Sequence, residues 1–60
     1  MNRYVEAVTT GKITRWKAGE YFNVTDRDDG MTYSSKTSYK DAATDWAWMR
    51  DIDLNEKVAA

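Results

Sequence analysis

The chain of 60 residues contains no cysteine, no histidine and no proline. Without cysteine it cannot form disulfides, and without cysteine or histidine it lacks the ligands of the commonest zinc sites. The same two residue types supply the most frequent general base and the thiol nucleophile of enzymes. The sequence therefore predicts a non-enzymatic protein that holds neither a metal nor a cofactor and that acts by binding.

Long apolar runs are also missing. None approaches the roughly 20 residues that span a bilayer, and residues 1–8 lack the apolar core of a signal peptide. We therefore expect a cytoplasmic protein with no membrane contact. Sixty residues make one small globular domain, near the lower limit of size for folding unaided. We predict a single domain over residues 1–60 whose tail frays after about Asp53.

Aromatic residues are abundant: three tryptophans, four tyrosines and one phenylalanine. Each of them buries a large area, so most are expected in the core. The residues between the three glycines are rich in β-branched and aromatic types, which favour strands. We predict an α+β fold with a meander of three or four antiparallel strands over residues 4–9, 12–16, 20–25 and 31–34. Asp29-Gly30 is a strong signal for a hairpin turn.

Two-residue loops at Thr10-Gly11 and Ala18-Gly19 would pair Glu6 with Arg15 and Lys17 with Glu20 across strands. Alternation along the strands then sorts the side chains onto two faces. The predicted core face holds Tyr4, Val8, Ile13, Phe22 and Val24. The predicted mixed aromatic and polar face holds Val5, Ala7, Lys12, Thr14, Trp16, Tyr21, Asn23 and Tyr33.

A C-terminal helix is predicted from Tyr39 to about Ile52, with Ser38 as its N-cap and an acidic residue three positions later. Helical periodicity places five residues on one stripe that would cover the core face of the sheet. Those residues are Tyr39, Ala42, Ala43, Trp46 and Met49. Trp48 falls opposite the stripe near Asp45, so we expect it to be exposed.

The turn that contains Asp26, Asp28 and Asp29 resembles a calcium-binding loop only superficially. Its glycine comes one position too early, and a threonine stands where such loops need a bidentate glutamate. Acidic residues are common in turns, where water surrounds them. We therefore expect these carboxylates to have ordinary pKa values.

Charge is segregated along the chain, with a net +3 over residues 1–19, −3 over residues 20–30 and −4 over residues 41–56. The leading hypothesis is a small protein-binding module, of the accessory or inhibitor type that phages and mobile elements encode, which occupies a surface of a larger protein. Its predicted contact residues are Trp48, Asp45 and Asp51.

The alternative hypothesis is a domain that binds single-stranded nucleic acid through an aromatic and basic sheet face. Its contact residues would be Trp16, Tyr21, Tyr33 and Lys12. The overall charge of −1 opposes this hypothesis, because binding to phosphates requires an excess of positive charge. The same face can instead be a homodimer interface or a second layer of the core.

Overall fold

A computed structural model describes residues 1–58 as a three-stranded antiparallel sheet with two helices. The elements are α1 (Arg3–Thr9), β1 (Ile13–Ala18), β2 (Tyr21–Asp26), β3 (Thr32–Ser35) and α2 (Tyr39–Met49). The strand order is β1-β2-β3, so the predicted α+β meander with a C-terminal helix is confirmed. Neither helix in this part of the chain is long and apolar enough to cross a membrane.

The first element is a helix, so the predicted strand over residues 4–9 is wrong. Asn2 caps α1, since its side chain accepts a hydrogen bond of 2.9 Å from the backbone N–H of Val5. Glu6 forms an ion pair of 3.1 Å with Arg3, one turn away, rather than with Arg15. The cap and this ion pair stabilise a helix here, although the β-branched residues of this segment favour a strand.

The β1–β2 hairpin turns at Gly19-Glu20, one residue later than predicted. Gly19 has a φ of +58°, the left-handed conformation that a type II′ turn requires at its first position. Lys17 therefore pairs with Phe22 and not with Glu20. Because this change shifts the strand pairing by two residues, every side chain of β1 and β2 keeps its predicted face.

One side of the sheet, the helix-side face, carries both helices, which leave its edge at Arg15 and Lys17 exposed. It comprises Ile13, Arg15, Lys17, Phe22, Val24, Asp26, Tyr33 and Ser35. The other side, the open face, comprises Thr14, Trp16, Ala18, Tyr21, Asn23, Thr25, Thr32 and Ser34. Tyr33 pairs with Val24 and packs against the core, so its predicted place beside Trp16 and Tyr21 is wrong.

The core lies between the helix-side face, the two helices and the C-terminal segment. Its buried members are Ala7, Ile13, Val24, Ala42, Ala43, Trp46, Ala47 and Leu54. The three alanines of α2 allow this helix to lie close to the sheet, and Trp46 supplies most of the bulk. Met49 is exposed and Ala47 takes its place, because the buried stripe of α2 is rotated slightly from the predicted one.

Helix α2 ends at Met49 in a Schellman arrangement, three residues earlier than predicted. The N–H of Ile52 donates to the carbonyl of Ala47 at 2.9 Å, and that of Asp51 to the carbonyl of Trp48 at 3.2 Å. This geometry places Asp51 in the left-handed region, with a φ of 56°. The chain then turns back toward α1.

Residues 54–58 are docked along the N-terminus, and the fraying expected after about Asp53 stays a prediction. Leu54 is buried in the core, and its carbonyl accepts a hydrogen bond from the N–H of Tyr4. The N–H of Arg3 donates to the carbonyl of Glu56 at 2.9 Å. The segment thereby satisfies amides of the first turn of α1, which have no partner inside the helix. Residues 59–60 of the predicted tail lie outside the described residues.

Candidate functional site

The two tryptophans of α2 have opposite environments. Trp46 is 3% exposed and Trp48 is 83% exposed. Two positions along a helix correspond to a rotation of about 200°, so a tryptophan that is two residues from a buried one must face solvent. The predicted core position of Trp46 and the predicted exposure of Trp48 are both confirmed.

The outer surface of α2 combines apolar and acidic side chains. Asp41, Asp45 and Trp48 lie on successive turns of its exposed side, and Met49, 70% exposed, flanks Trp48. We call these four residues the Trp48 face. Asp41 also belongs to the helix cap, since its backbone N–H donates to Ser38 and its carboxylate accepts from Thr37.

The charged side chains near this surface differ in whether they already have a partner within the protein. Within residues 1–58, Asp45 takes part in no hydrogen bond or ion pair of its side chain. Asp51, exposed, follows the helix at its C-terminal end. Arg50, the nearest cation in the sequence, is occupied by Asp26 and Asp29 at 2.6 and 2.7 Å. The outer side of α2 and the residues after it therefore present more acidic than basic side chains around one large aromatic side chain, with Lys40 bordering Trp48 on one side.

The open face of the sheet is the second candidate surface. Trp16 and Tyr21 are each about half exposed and lie diagonally across β1 and β2. The other two residues that were predicted beside them lie elsewhere. Tyr33 is on the helix-side face, and Lys12 precedes β1 and lines a groove with Trp46 and Arg50.

The basic residues of β1 also point away from the open face. The guanidinium of Arg15 lies over the ring of Tyr39 at 5.4 Å, and the ammonium of Lys17 over the ring of Phe22 at 4.8 Å. Lys36, just after β3, lies over Tyr21 at 5.4 Å. The interleaved basic and aromatic surface expected for nucleic-acid binding is therefore reduced to two aromatic side chains with one lysine at their border.

Asp26 forms a buried polar junction that sequence reasoning missed. Its carboxylate accepts a hydrogen bond of 2.7 Å from the indole N–H of Trp46 and another of 2.7 Å from the backbone N–H of Asp28. Arg50 approaches it at 2.6 Å. This one side chain links the end of β2, the turn that follows it and the C-terminal part of α2.

The pKa of Asp26 reflects opposing influences. Burial raises the pKa, but the hydrogen bonds from Trp46 and from the amides of Asp28 and Asp29, with the charge of Arg50, outweigh it. The net result is a pKa below the ordinary value of an aspartate. The expectation of a water-bathed carboxylate with an ordinary pKa is therefore wrong for Asp26. No sequence signal distinguished Asp26 from its neighbours, since its side-chain partners Trp46 and Arg50 lie 20 and 24 residues further along the chain.

A groove of about 550 Å³ runs beside this junction, between the residues after α1, the turn after β2 and the end of α2. Lys12, Arg27 and Arg50 line it together with Asp26 and Asp28. Opposite charges are thus already close together in this groove. Among residues 1–58, no group of three or more potential ligand side chains can hold a metal ion.

No family model, curated protein or solved structure proved similar to this chain. The Trp48 face and the open face of the sheet are therefore the two candidate contact surfaces.

Proposed function

We propose that this protein is a non-enzymatic binding module that attaches to a larger protein through the Trp48 face, as an accessory or inhibitor protein does. The observation that carries the proposal is the 83% exposure of Trp48. Tryptophan is the residue type most enriched among the few that dominate binding energy at protein interfaces. The fold does not need this side chain, because Trp46 fills the core beneath the same helix.

The surroundings of Trp48 fit an interface. Met49 is unbranched and flexible, so it adapts to an irregular partner surface, and its sulfur contacts aromatic rings favourably. An apolar anchor with a polar rim is the usual anatomy of a protein interface. Asp41 and Asp45 supply such a rim on the N-terminal side of Trp48, and Asp51 supplies it after the helix.

The charge around Trp48 selects the kind of partner. Residues 41–56 carry a net charge of −4, and the one arginine among them is held by Asp26 and Asp29. Lys40, the cation that borders Trp48, donates to the side chain of Asn55 and offsets only part of this charge. A surface with this charge attracts a basic one and repels an acidic one over about 10 Å at ordinary ionic strength. The partner is therefore expected to present a basic surface with an apolar pocket for the indole.

The test is a truncation of Trp48. We expect Trp48→Ala to change the free energy of unfolding by no more than about 0.5 kcal/mol, because the side chain is exposed. Binding to a partner captured with the tagged protein, in the presence of nuclease, is expected to weaken by about 2 kcal/mol or more, the scale of a hot-spot tryptophan. Surface plasmon resonance with the partner at low density measures this change.

Trp16→Ala is the matched control, because it removes the same side chain from the opposite side of the molecule. It should leave the affinity unchanged. Asp45→Asn should mainly slow association and weaken its dependence on salt, because charges at the rim of an interface steer the encounter. The proposal fails if Trp48→Ala binds as tightly as the parent protein while Trp16→Ala does not.

Binding of single-stranded nucleic acid stays the second candidate, on the observation that Trp16 and Tyr21 are adjacent and half exposed on the open face. Aromatic rings on a sheet stack bases in several nucleic-acid-binding folds. This candidate lacks the cations that would contact phosphates, since Arg15 and Lys17 lie on the helix-side face.

A further inference from the structure

The open face carries no charged side chain. Its eight positions, defined above, hold four residues with a hydroxyl group, one amide, one alanine, Trp16 and Tyr21. Charged residues make up 32% of the chain, so a water-facing sheet surface without any is unexpected.

The charged side chains of strand β1 lie on the other face of the sheet. Its two cations, Arg15 and Lys17, alternate onto the side that carries the helices, where they lie over aromatic rings. A strand with one solvated face normally turns its charges outward, to water. In β1 both cations stay exposed to water at the edge of the helix-side face, and the opposite side of the strand is neutral and partly aromatic.

Most polar groups of the open face are already hydrogen-bonded to one another, the hydroxyls of Thr14 and Tyr21 excepted. The indole N–H of Trp16 donates to Thr25 at 2.8 Å, and the hydroxyls of Thr25 and Thr32 are 3.0 Å apart. Ser34 donates to the amide oxygen of Asn23, which is only 4% exposed. Polar groups that already have a hydrogen-bond partner lose little free energy when water is removed from them. Unpaired polar groups are costly to bury. This surface is therefore prepared for burial.

From these observations we propose that the open face is a homodimer interface, in which two copies of this chain pack their sheets face to face. A two-fold axis brings each patch against its own copy, and a patch without charged side chains meets no like charge there. Nucleic acid is disfavoured on the same ground, since the face offers no cation of its own to a phosphate.

The arrangement and the size of the interface follow from sheet geometry. Two packed sheets lie about 10 Å apart with their side chains interdigitated. Three short strands bury about 500 Å² per copy, which is at the lower limit for a specific dimer. We therefore expect weak, micromolar association. The Trp48 faces lie on the far sides of the helices, so the dimer would present both of them outward.

Sedimentation velocity of the purified full chain over about 1 µM to 1 mM tests this proposal. The mass is expected to rise from 6.9 kDa toward twice that value as concentration increases. Thr14→Lys adds a charge to the open face at an exposed position whose side chain makes no hydrogen bond within residues 1–58. It should weaken self-association at least about tenfold, because the two added charges oppose each other.

Thr9→Lys is the matched control, since it makes the same change at an exposed position of α1. It should leave the dimer intact, as should Trp48→Ala, so that failure here and failure of the proposed function are distinguishable. If circular dichroism shows that Thr14→Lys is unfolded, Thr32→Lys on β3 replaces it. The proposal is overturned if the protein is a monomer at every concentration, or if the open-face variants dimerise as well as Thr9→Lys.

Discussion

At the scale of single residues, Asp26 is the buried carboxylate that both the C-terminal part of α2 and the turn after β2 contact. A buried carboxylate is stable only when its hydrogen bonds and charge partners offset the loss of water. Trp46 and Arg50 supply them from α2, and the amides of residues 28 and 29 supply them from the adjoining turn. Asp26 therefore fixes the phase of α2 against the sheet, and with it the outward direction of Trp48.

We expect Asp26→Asn to lower the free energy of unfolding at pH 7 by about 1–3 kcal/mol, because an uncharged amide leaves Arg50 and the indole N–H poorly paired. The folded pKa of Asp26 is lowered, so its stabilising effect is complete above the unfolded value of 3.8. That effect is lost as the pH falls through the folded pKa. Urea denaturation at pH 7 and pH 2.5 should therefore show a smaller pH dependence for Asp26→Asn than for the parent.

Asp45→Asn is the control for this measurement, because it removes an exposed carboxylate that takes part in no ion pair within residues 1–58. If the free energy of unfolding became equally less dependent on pH in both variants, general surface charge, and not the contacts of Asp26, would govern stability in acid.

At the scale of elements, the two hairpins and α2 could be predicted from the sequence because their signals are local. Gly19 and Gly30 mark the turns, and Ser38 with Asp41 marks the start of α2. For α1, Val5 and Val8 fit a strand as well as a helix, and Asn2 before them was not recognised as a cap. The docking of residues 54–58 had no local signal, because it depends on contacts with Arg3 and Tyr4 across the whole chain.

The backbone just after α2 is strained at one residue, and a substitution there can relieve the strain. Asp51 adopts a φ of 56°, a conformation that costs residues with a Cβ about 1–2 kcal/mol and that glycine adopts readily. We expect Asp51→Gly to raise the free energy of unfolding by about 0.5–1 kcal/mol, since glycine also adds freedom to the unfolded chain. Thermal denaturation measures the change.

Asp53→Gly removes the same charge two residues later, where φ is not positive. It should destabilise the protein or leave its stability unchanged. A rise in melting temperature for Asp53→Gly equal to that for Asp51→Gly would attribute the effect to reduced negative charge.

At the scale of the whole molecule, the acidic surface and the uncharged open face lie on opposite sides. The acidic residues with Trp48 lie on the outer side of the helices, and the uncharged aromatic face lies on the opposite side of the sheet. The exposure of Trp48 could be predicted from helical periodicity alone. The neutrality of the open face could be predicted only in part. Alternation places Arg15 and Lys17 on the other face in either register, but the predicted face also held Lys12 and Tyr33, which lie elsewhere.

The same separation predicts the outcome of a titration with nucleic acid. We expect no quenching of tryptophan fluorescence by a single-stranded oligonucleotide, even at low salt, because the overall charge is −1 and the open face offers no cation to phosphates. The Trp16→Phe variant identifies the responding side chain if quenching occurs. Quenching that disappears in this variant and weakens steeply with added salt would favour the nucleic-acid hypothesis.

The two ends of the described chain lie side by side, with the N–H of Val58 donating to the carbonyl of Met1 at 2.8 Å and Asn2 bridged to Lys57. The backbone is thus nearly a closed ring, and a short linker would complete it. Such a ring could be reopened at Gly19-Glu20 without cutting a helix or a strand. In that circular permutant β1 and β2 would become the last and first strands, so their pairing would change from the most local contact of the sheet to the most distant. Folding would then become slower through the cost of closing a longer loop, while the folded contacts stayed the same.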